Sequence, residues 1–139
     1  MLPEDILSLS ATRLLALYKS KALSPVEVTH TVLGKIAKLN SSINAFCVVD
    51  HDRSMQLAQA SEQRWFNGSP IGMLDGIPAS VKDLVLAKGW PTRRGSLTID
   101  PDQAWEDDGP PVARMREQGA IIMGKTTTPE FGWKGVTDS

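Results

Sequence analysis

The sequence predicts an α/β fold in which a run of helices leads into a small mixed or parallel sheet. Three observations predict it. Apolar residues recur at three- and four-residue steps through much of the first 68 residues, as amphipathic helices require. Short, mainly apolar runs stand at 79–86 and 120–123, too brief for buried helices. The two patterns alternate, and right-handed crossovers turn such alternation into a layered sheet. A length of 139 residues allows one domain. Its first part, 1–68, carries the N-terminal helices and the first strand; its second, 69–139, is a strand–loop–helix–strand segment.

Ser10 is placed to cap a short helix with Leu14, Leu17 and Tyr18 on one face. A stronger start follows at Ser24-Pro25-Val26-Glu27. It joins an N-cap serine, proline at the first helical position and glutamate three residues after the cap. Val28, Val32, Ile36 and Leu39 continue this helix to a stop near Asn40, and Asn40-Ser41-Ser42 reads as a turn. Ile43 to Val49 is the first strand. Asp50 or Asp52 caps a further helix through Leu57, Ala60 and Trp65, ended by Asn67-Gly68. Gly68, Pro70, Gly72, Gly76 and Pro78 punctuate the approach to a second strand, Ala79 to Leu86. The proline- and glycine-rich stretch from Gly89 to Pro111 is expected to be an ordered loop, because so long a connection in one domain needs a reason. Pro111 to Gln118 reads as a short helix stopped by Gly119. Ala120 to Met123 is wholly apolar, as expected of a parallel strand covered on both faces.

Composition excludes several classes of function. Fifteen Lys and Arg against 16 Asp and Glu leave a net charge of −1, which gives no support to a nucleic-acid partner. A single cysteine, Cys47, forms neither an internal disulfide nor a cysteine-rich metal site. The first residues lack the basic region of a signal peptide, and no apolar run is long enough to span a bilayer. The expectation is a cytoplasmic protein without membrane partner or cofactor.

Gly119 to Thr126 matches the spacing of a phosphate-binding loop, G-x-x-x-x-G-K-T. Its context is wrong. A helix precedes Gly119, the intervening Ala-Ile-Ile-Met segment favours a strand, and an extended segment cannot curl its N–H groups around a phosphate. More telling are Lys82 and Asp83, the only charges between Ile77 and Ala87. Neighbouring side chains on a strand point to opposite faces, so these two do not simply pair with each other. A buried lysine can become a neutral amine, able to take a proton from a hydroxyl or attack a carbonyl. A lysine at a strand end can equally extend its head into water. His30 and His51 read as surface residues, Glu106-Asp107-Asp108 as a solvated patch at a helix start, and Cys47 as a buried, inert thiol.

Taken together, the chain resembles the amidase-signature family. The resemblance rests on Gly72 to Asp83 (Gly-Met-Leu-Asp-Gly-Ile-Pro-Ala-Ser-Val-Lys-Asp) and on Thr92-Arg93-Arg94-Gly95-Ser96. It continues through Asp108, Val112, Gly119-Ala120 and Gly124 to Gly132, and is preceded by the Ser24 helix and the Asn40 to Phe46 segment. The ordered set spans nearly the whole chain. It implies the N-terminal part of an α/β/α amidase fold and hydrolysis of a small-molecule carboxamide by a Ser–Ser–Lys triad. The family's lysine falls on Lys82, the general base. In that triad a bridging serine, held by a cis peptide bond, relays the proton from the nucleophilic serine, and backbone N–H groups stabilise the oxyanion.

The family's Gly-Gly-Ser-Ser-Gly-Gly and later Gly-Gly-Ser segments have no counterpart in the sequence. Neither Ser80, Ser96 nor Lys125 substitutes for the missing serines. The expectation is the N-terminal portion of a longer amidase, inactive by itself and self-associating through exposed sheet edges. The alternatives are a non-catalytic binding module derived from an amidase and a portion of one component of a tRNA-dependent amidotransferase. Phe131, Trp133 and the loop from Trp90 to Ser96 are the candidates for one wall of an acyl pocket.

Overall fold

The computed structural model describes residues 3–137. Helix α1 (Pro3–Leu7) and helix α2 (Ala11–Lys19) are followed by the long helix α3 (Pro25–Ile43). Strand β1 (Phe46–Val49), helix α4 (His51–Phe66) and strand β2 (Pro78–Lys82) come next. Helix α5 (Pro110–Glu117), strand β3 (Ile121–Thr126) and a 3₁₀ turn (Glu130–Gly132) complete the order. This is the expected α/β architecture, with one helix, α1, that the sequence patterns do not predict.

Capping explains most of the boundaries. Ser10 Oγ accepts from Arg13 N at 3.2 Å, and Asp50 Oδ1 accepts from Arg53 N at 3.1 Å at the start of α4. At Ser24 the capping box is complete: Ser24 Oγ accepts from Glu27 N, and Glu27 Oε2 accepts from Ser24 N at 2.9 Å. The end of α3 departs from expectation. Asn40-Ser41-Ser42 is helical, not a turn, and the stop comes at Asn44, which takes the left-handed conformation (φ 47°). Asn40 contributes from within the helix. Its amide donates to Phe46 O at 3.0 Å and its Oδ1 accepts from Phe46 N at 2.8 Å, which fixes the entry to β1. Strand β1 is therefore shorter than the predicted Ile43 to Val49.

The sheet has the order β1–β3–β2. Strand β3 runs parallel to β2 but antiparallel to β1, so of the two versions expected, mixed or parallel, the sheet is the mixed one. β3 extends to Thr126, three residues beyond its predicted end, because it is the central strand with a ladder on each side. Residues Ile121 to Lys125 are all buried. Ile121 and Met123 pack with Leu33 of α3 and Ala58 of α4. Ile122 packs on the other face with Val81, Trp90 and Val112 of α5. Each such side chain contributes about 1.5–3 kcal/mol of burial. Gly124 is the one residue of β3 without a side chain, and a Cβ there would be driven into the Val48 carbonyl of β1.

Strand β2 ends at Lys82 and not at Leu86. Val85 N donates to Lys82 O at 3.0 Å, closing a turn, and Val85 and Ala87 reach the core from loop backbone. Burial alone does not require a strand. The stretch 89–109 is ordered as expected, with Trp90, Thr92 and Ser96 buried. The approach to β2 is held by Asp75, whose side chain has no exposure. Its carboxylate accepts from Arg64 Nε (2.8 Å), Arg64 Nη2 (2.6 Å), Ser61 Oγ (2.7 Å) and Ile71 N (2.9 Å). Burial alone would push this carboxyl up, but those donors outweigh it and hold it below the usual carboxylate range.

Candidate active site at the end of strand β2

The two adjacent charges on β2 part company. Val81 faces the core, Lys82 is exposed, and Asp83 turns back under the sheet with 5% exposure. Among the described residues Lys82 has no ion-pair partner. Asp83 is committed elsewhere: its N–H donates to Thr126 O at 2.9 Å, and its Oδ1 lies 2.8 Å from Lys125 Nζ. Lys125 is the buried lysine, with no exposure. Its ammonium donates to Pro91 O (3.0 Å) and Thr92 Oγ1 (2.5 Å), in addition to the ion pair with Asp83. Burial pushes the Lys125 ammonium below the usual lysine range, partly offset by Asp83.

The desolvation problem posed for Lys82 therefore falls on Lys125, a residue that the sequence patterns leave without a role. The sequence signal was only that Asp83 needed a cation; the ladder that sets Lys125 opposite Val81 identifies which one. The inference that Lys82 and Asp83 do not pair holds.

A cleft of about 470 Å³ opens beside this pair, lined by Asn44, Cys47, Asp83, Ser96, Thr127 and Thr128 among others. Cys47 is exposed there, not buried as expected. β1 is an edge strand, and its register breaks between Phe46 and Val48. The residue is exposed but its sulfur is partly covered, lying 3.5 Å from Lys125 O, and this partial burial together with the Asp83 charge pushes the thiol up, which favours its protonated form. Arg93, Gly95 and Ser96 of the loop from Trp90 to Ser96 also line the cleft, whereas Phe131 and Trp133 do not. Phe131 is 50% and Trp133 79% exposed. The loop is clasped by the following segment: Ser96 Oγ donates to Glu130 Oε1 at 2.6 Å, and Phe131 N donates to Arg94 O at 2.7 Å. Arg94 (φ 55°) and Phe131 (φ 48°) are both left-handed, a cost that this clasp holds in place.

The other candidates fall away from the site. His30 and His51 are exposed. Ser80 lines a separate apolar groove together with Ile6, Val28 and Ile77. Asp108 is not a solvated charge: it accepts from Lys88 N at 2.7 Å and lies 3.3 Å from Arg116 Nε, while Glu106 and Asp107 are exposed. The Gly119 to Thr126 segment is a left-handed glycine followed by a ladder strand, which leaves no phosphate cradle. Among the described residues, no group of three or more His, Cys, Asp or Glu could hold a metal, and no helix is long and apolar enough to cross a membrane.

Comparison with known proteins places this geometry. The Amidase family model matches residues 27–139. The chain is 41% identical over 122 residues to a glutamyl-tRNA(Gln) amidotransferase subunit of Methylobacillus flagellatus, covering 88% of this chain and 24% of that protein. It is 32% identical over 139 residues to an acylamidase of Rhodococcus erythropolis, covering 100% of this chain and 29% of that protein. Among solved structures it superposes on a bacterial aryl acylamidase of the amidase-signature enzymes with TM-score 0.85 and 31% identity, over 94% of this chain and 27% of that one. The peptide amidase of Stenotrophomonas maltophilia gives TM-score 0.81 and 28% identity, over 89% of this chain and 26% of that one. The chain thus spans about a quarter of the length of the relatives it matches. With the family model covering most of its length and its helices and mixed sheet matching those of solved members, the chain belongs to the amidase, or amidase-signature, family.

Proposed function

We propose that this chain is the lysine-bearing part of an enzyme that cleaves small-molecule carboxamides, with Lys82 as the general base of a Ser–Ser–Lys triad. The observation that carries the reading is the division of labour at the end of β2. Asp83 and Lys125 neutralise each other in the interior, which leaves the Lys82 amine unpaired among the described residues and projecting from the strand end. The two serines lie outside these 139 residues, in the greater part of the enzyme that the relatives possess.

Lys82, neutral, accepts a proton from the bridging serine as that serine takes the proton of the nucleophile. The nucleophilic oxygen bonds to the amide carbon, the C–N bond breaks, and the leaving nitrogen receives a proton. Water then releases the acid from the acyl-enzyme. Desolvation favours the neutral amine, so in this reading the rest of the enzyme covers Lys82. A second reading, a component that delivers ammonia to a glutamyl-tRNA, is favoured by the 41% identity to the amidotransferase of Methylobacillus flagellatus. A cytoplasmic location belongs to the same proposal and suits the exposed, unpaired Cys47.

The test is ammonia release from benzamide and from glutamine, measured for the isolated 139-residue chain and for the complete product of its gene. The expected result is turnover by the complete product alone. Turnover by the isolated chain, free of longer contaminants, would refute the placement of the serines. Release from glutamine only, dependent on a charged tRNA, would select the second reading.

A further inference from the structure

The reading of Lys82 as base leaves Lys125 without a role. A fully buried ammonium is costly to desolvate, and its pair with Asp83 gains little over a well-packed apolar pair. What the ammonium does achieve is a junction. It lies 2.8 Å from Asp83 Oδ1 at the end of β2, and it donates to Pro91 O and Thr92 Oγ1 of the loop that walls the cleft. The end of β2 and the loop thus meet at one group on β3. Asp83 is next to Lys82 in the chain and is also tied to β3 through its N–H to Thr126 O. On the other side of Lys82, Val81 is set opposite Lys125 in the ladder. The residues flanking the exposed lysine are both anchored at the same place.

We propose that Lys125 is a positioning residue that locks the end of β2 to the loop from Pro91 to Ser96, and so fixes the backbone from which Lys82 projects. The proposal rests on Lys82 being the base, and its test separates the two claims. Lys125→Met is prepared in the isolated chain, with Lys125→Arg as the conservative variant. Amide hydrogen exchange is read together with the 13Cε–1Hε NMR signal of Lys82.

In Lys125→Met, the Asp83 amide and those of Arg93, Arg94 and Ser96 are expected to lose protection together, by at least about tenfold. The Lys82 signal moves to its random-coil position, while the Ile71 amide on Asp75 keeps its protection. Lys125→Arg restores part of both effects. If Lys125→Met does not fold, Thr92→Val, which removes one tie, is expected to give the same coupled loss on a smaller scale. In the complete gene product, Lys125→Met lowers kcat at least about tenfold with KM within about threefold.

Unchanged exchange at Asp83, a loop that loosens without any change at Lys82, or a uniform loss across all elements in both Met and Val variants would each overturn the positioning role. If the parent gene product cleaves no amide, the reading of Lys82 fails, and the exchange and NMR results still decide whether Lys125 is the lock.

Discussion

Asp75→Ala is expected to destabilise the chain by about 3 kcal/mol. The carboxylate sits at zero exposure with four donors on it. Its removal leaves the Ser61 hydroxyl and the Ile71 N–H without an acceptor and the Arg64 guanidinium without its counter-charge. Breaking a buried ion pair from one side costs about 3–5 kcal/mol. Arg64 retains 27% side-chain exposure and can turn towards water, which places the cost at the lower end. Native domains have only about 5–15 kcal/mol in total. At this size 1 kcal/mol moves Tm by about 3–5 °C, so Tm should fall by about 10–15 °C, read by circular dichroism at pH 7. The pH dependence has a definite sign. The native carboxyl is held below its unfolded value, so its contribution is present above about pH 4 and is lost as pH falls through the lower native value. The gap between parent and Asp75→Asn should therefore narrow below pH 4. A Tm loss under about 3 °C for Asp75→Ala, or a gap that widens in acid, would refute the reasoning.

Two further outcomes follow from the same packing. Tyr18 is buried, donates to Gly76 O at 3.1 Å, and has its phenol pushed up by burial. A raised native value means its stabilisation is present below the unfolded value near pH 10 and is lost above it. The parent should thus lose stability relative to Tyr18→Phe as pH passes 10, measured by urea unfolding, and a constant difference from pH 8 to 11 would contradict this. The outer strands β1 and β2 leave open edges, and Trp133 and Leu97 are 79% and 93% exposed. The isolated chain should associate above micromolar concentrations by light scattering, and a monodisperse monomer at about 100 μM would count against it.

Local signals were legible in the sequence wherever one residue decides one boundary. Ser24 with Glu27, Asp50 and Gly119 each punctuate the chain where the capping rules place them. The boundaries that failed depend on tertiary partners. Asn40 reads as a helix stop until Phe46 is available to its side chain. Asp83 to Leu86 read as strand because apolar patterning reports burial and not the turn that Val85 closes on Lys82. The direction of β1 against β3 is invisible without the sheet, and with it went the exposure of Cys47 on the broken edge register. At the site, the sequence singled out the adjacent charges Lys82 and Asp83 and a conflict between charge and burial, which the structure puts on Asp83 and Lys125. It could not assign the conflict, because the cation that resolves it stands more than forty residues later in the chain.

The central claim concerns Lys82, and its most direct measurement is kcat for benzamide hydrolysis by the complete gene product, as parent and as Lys82→Ala. Lys82 is exposed in this chain and unpaired among the described residues, so its replacement in the isolated chain should leave Tm within about 1 °C. For the complete gene product the account predicts a loss of kcat of at least about a thousandfold. Turnover within about tenfold of the parent would contradict it and return Lys82 to the surface lysines.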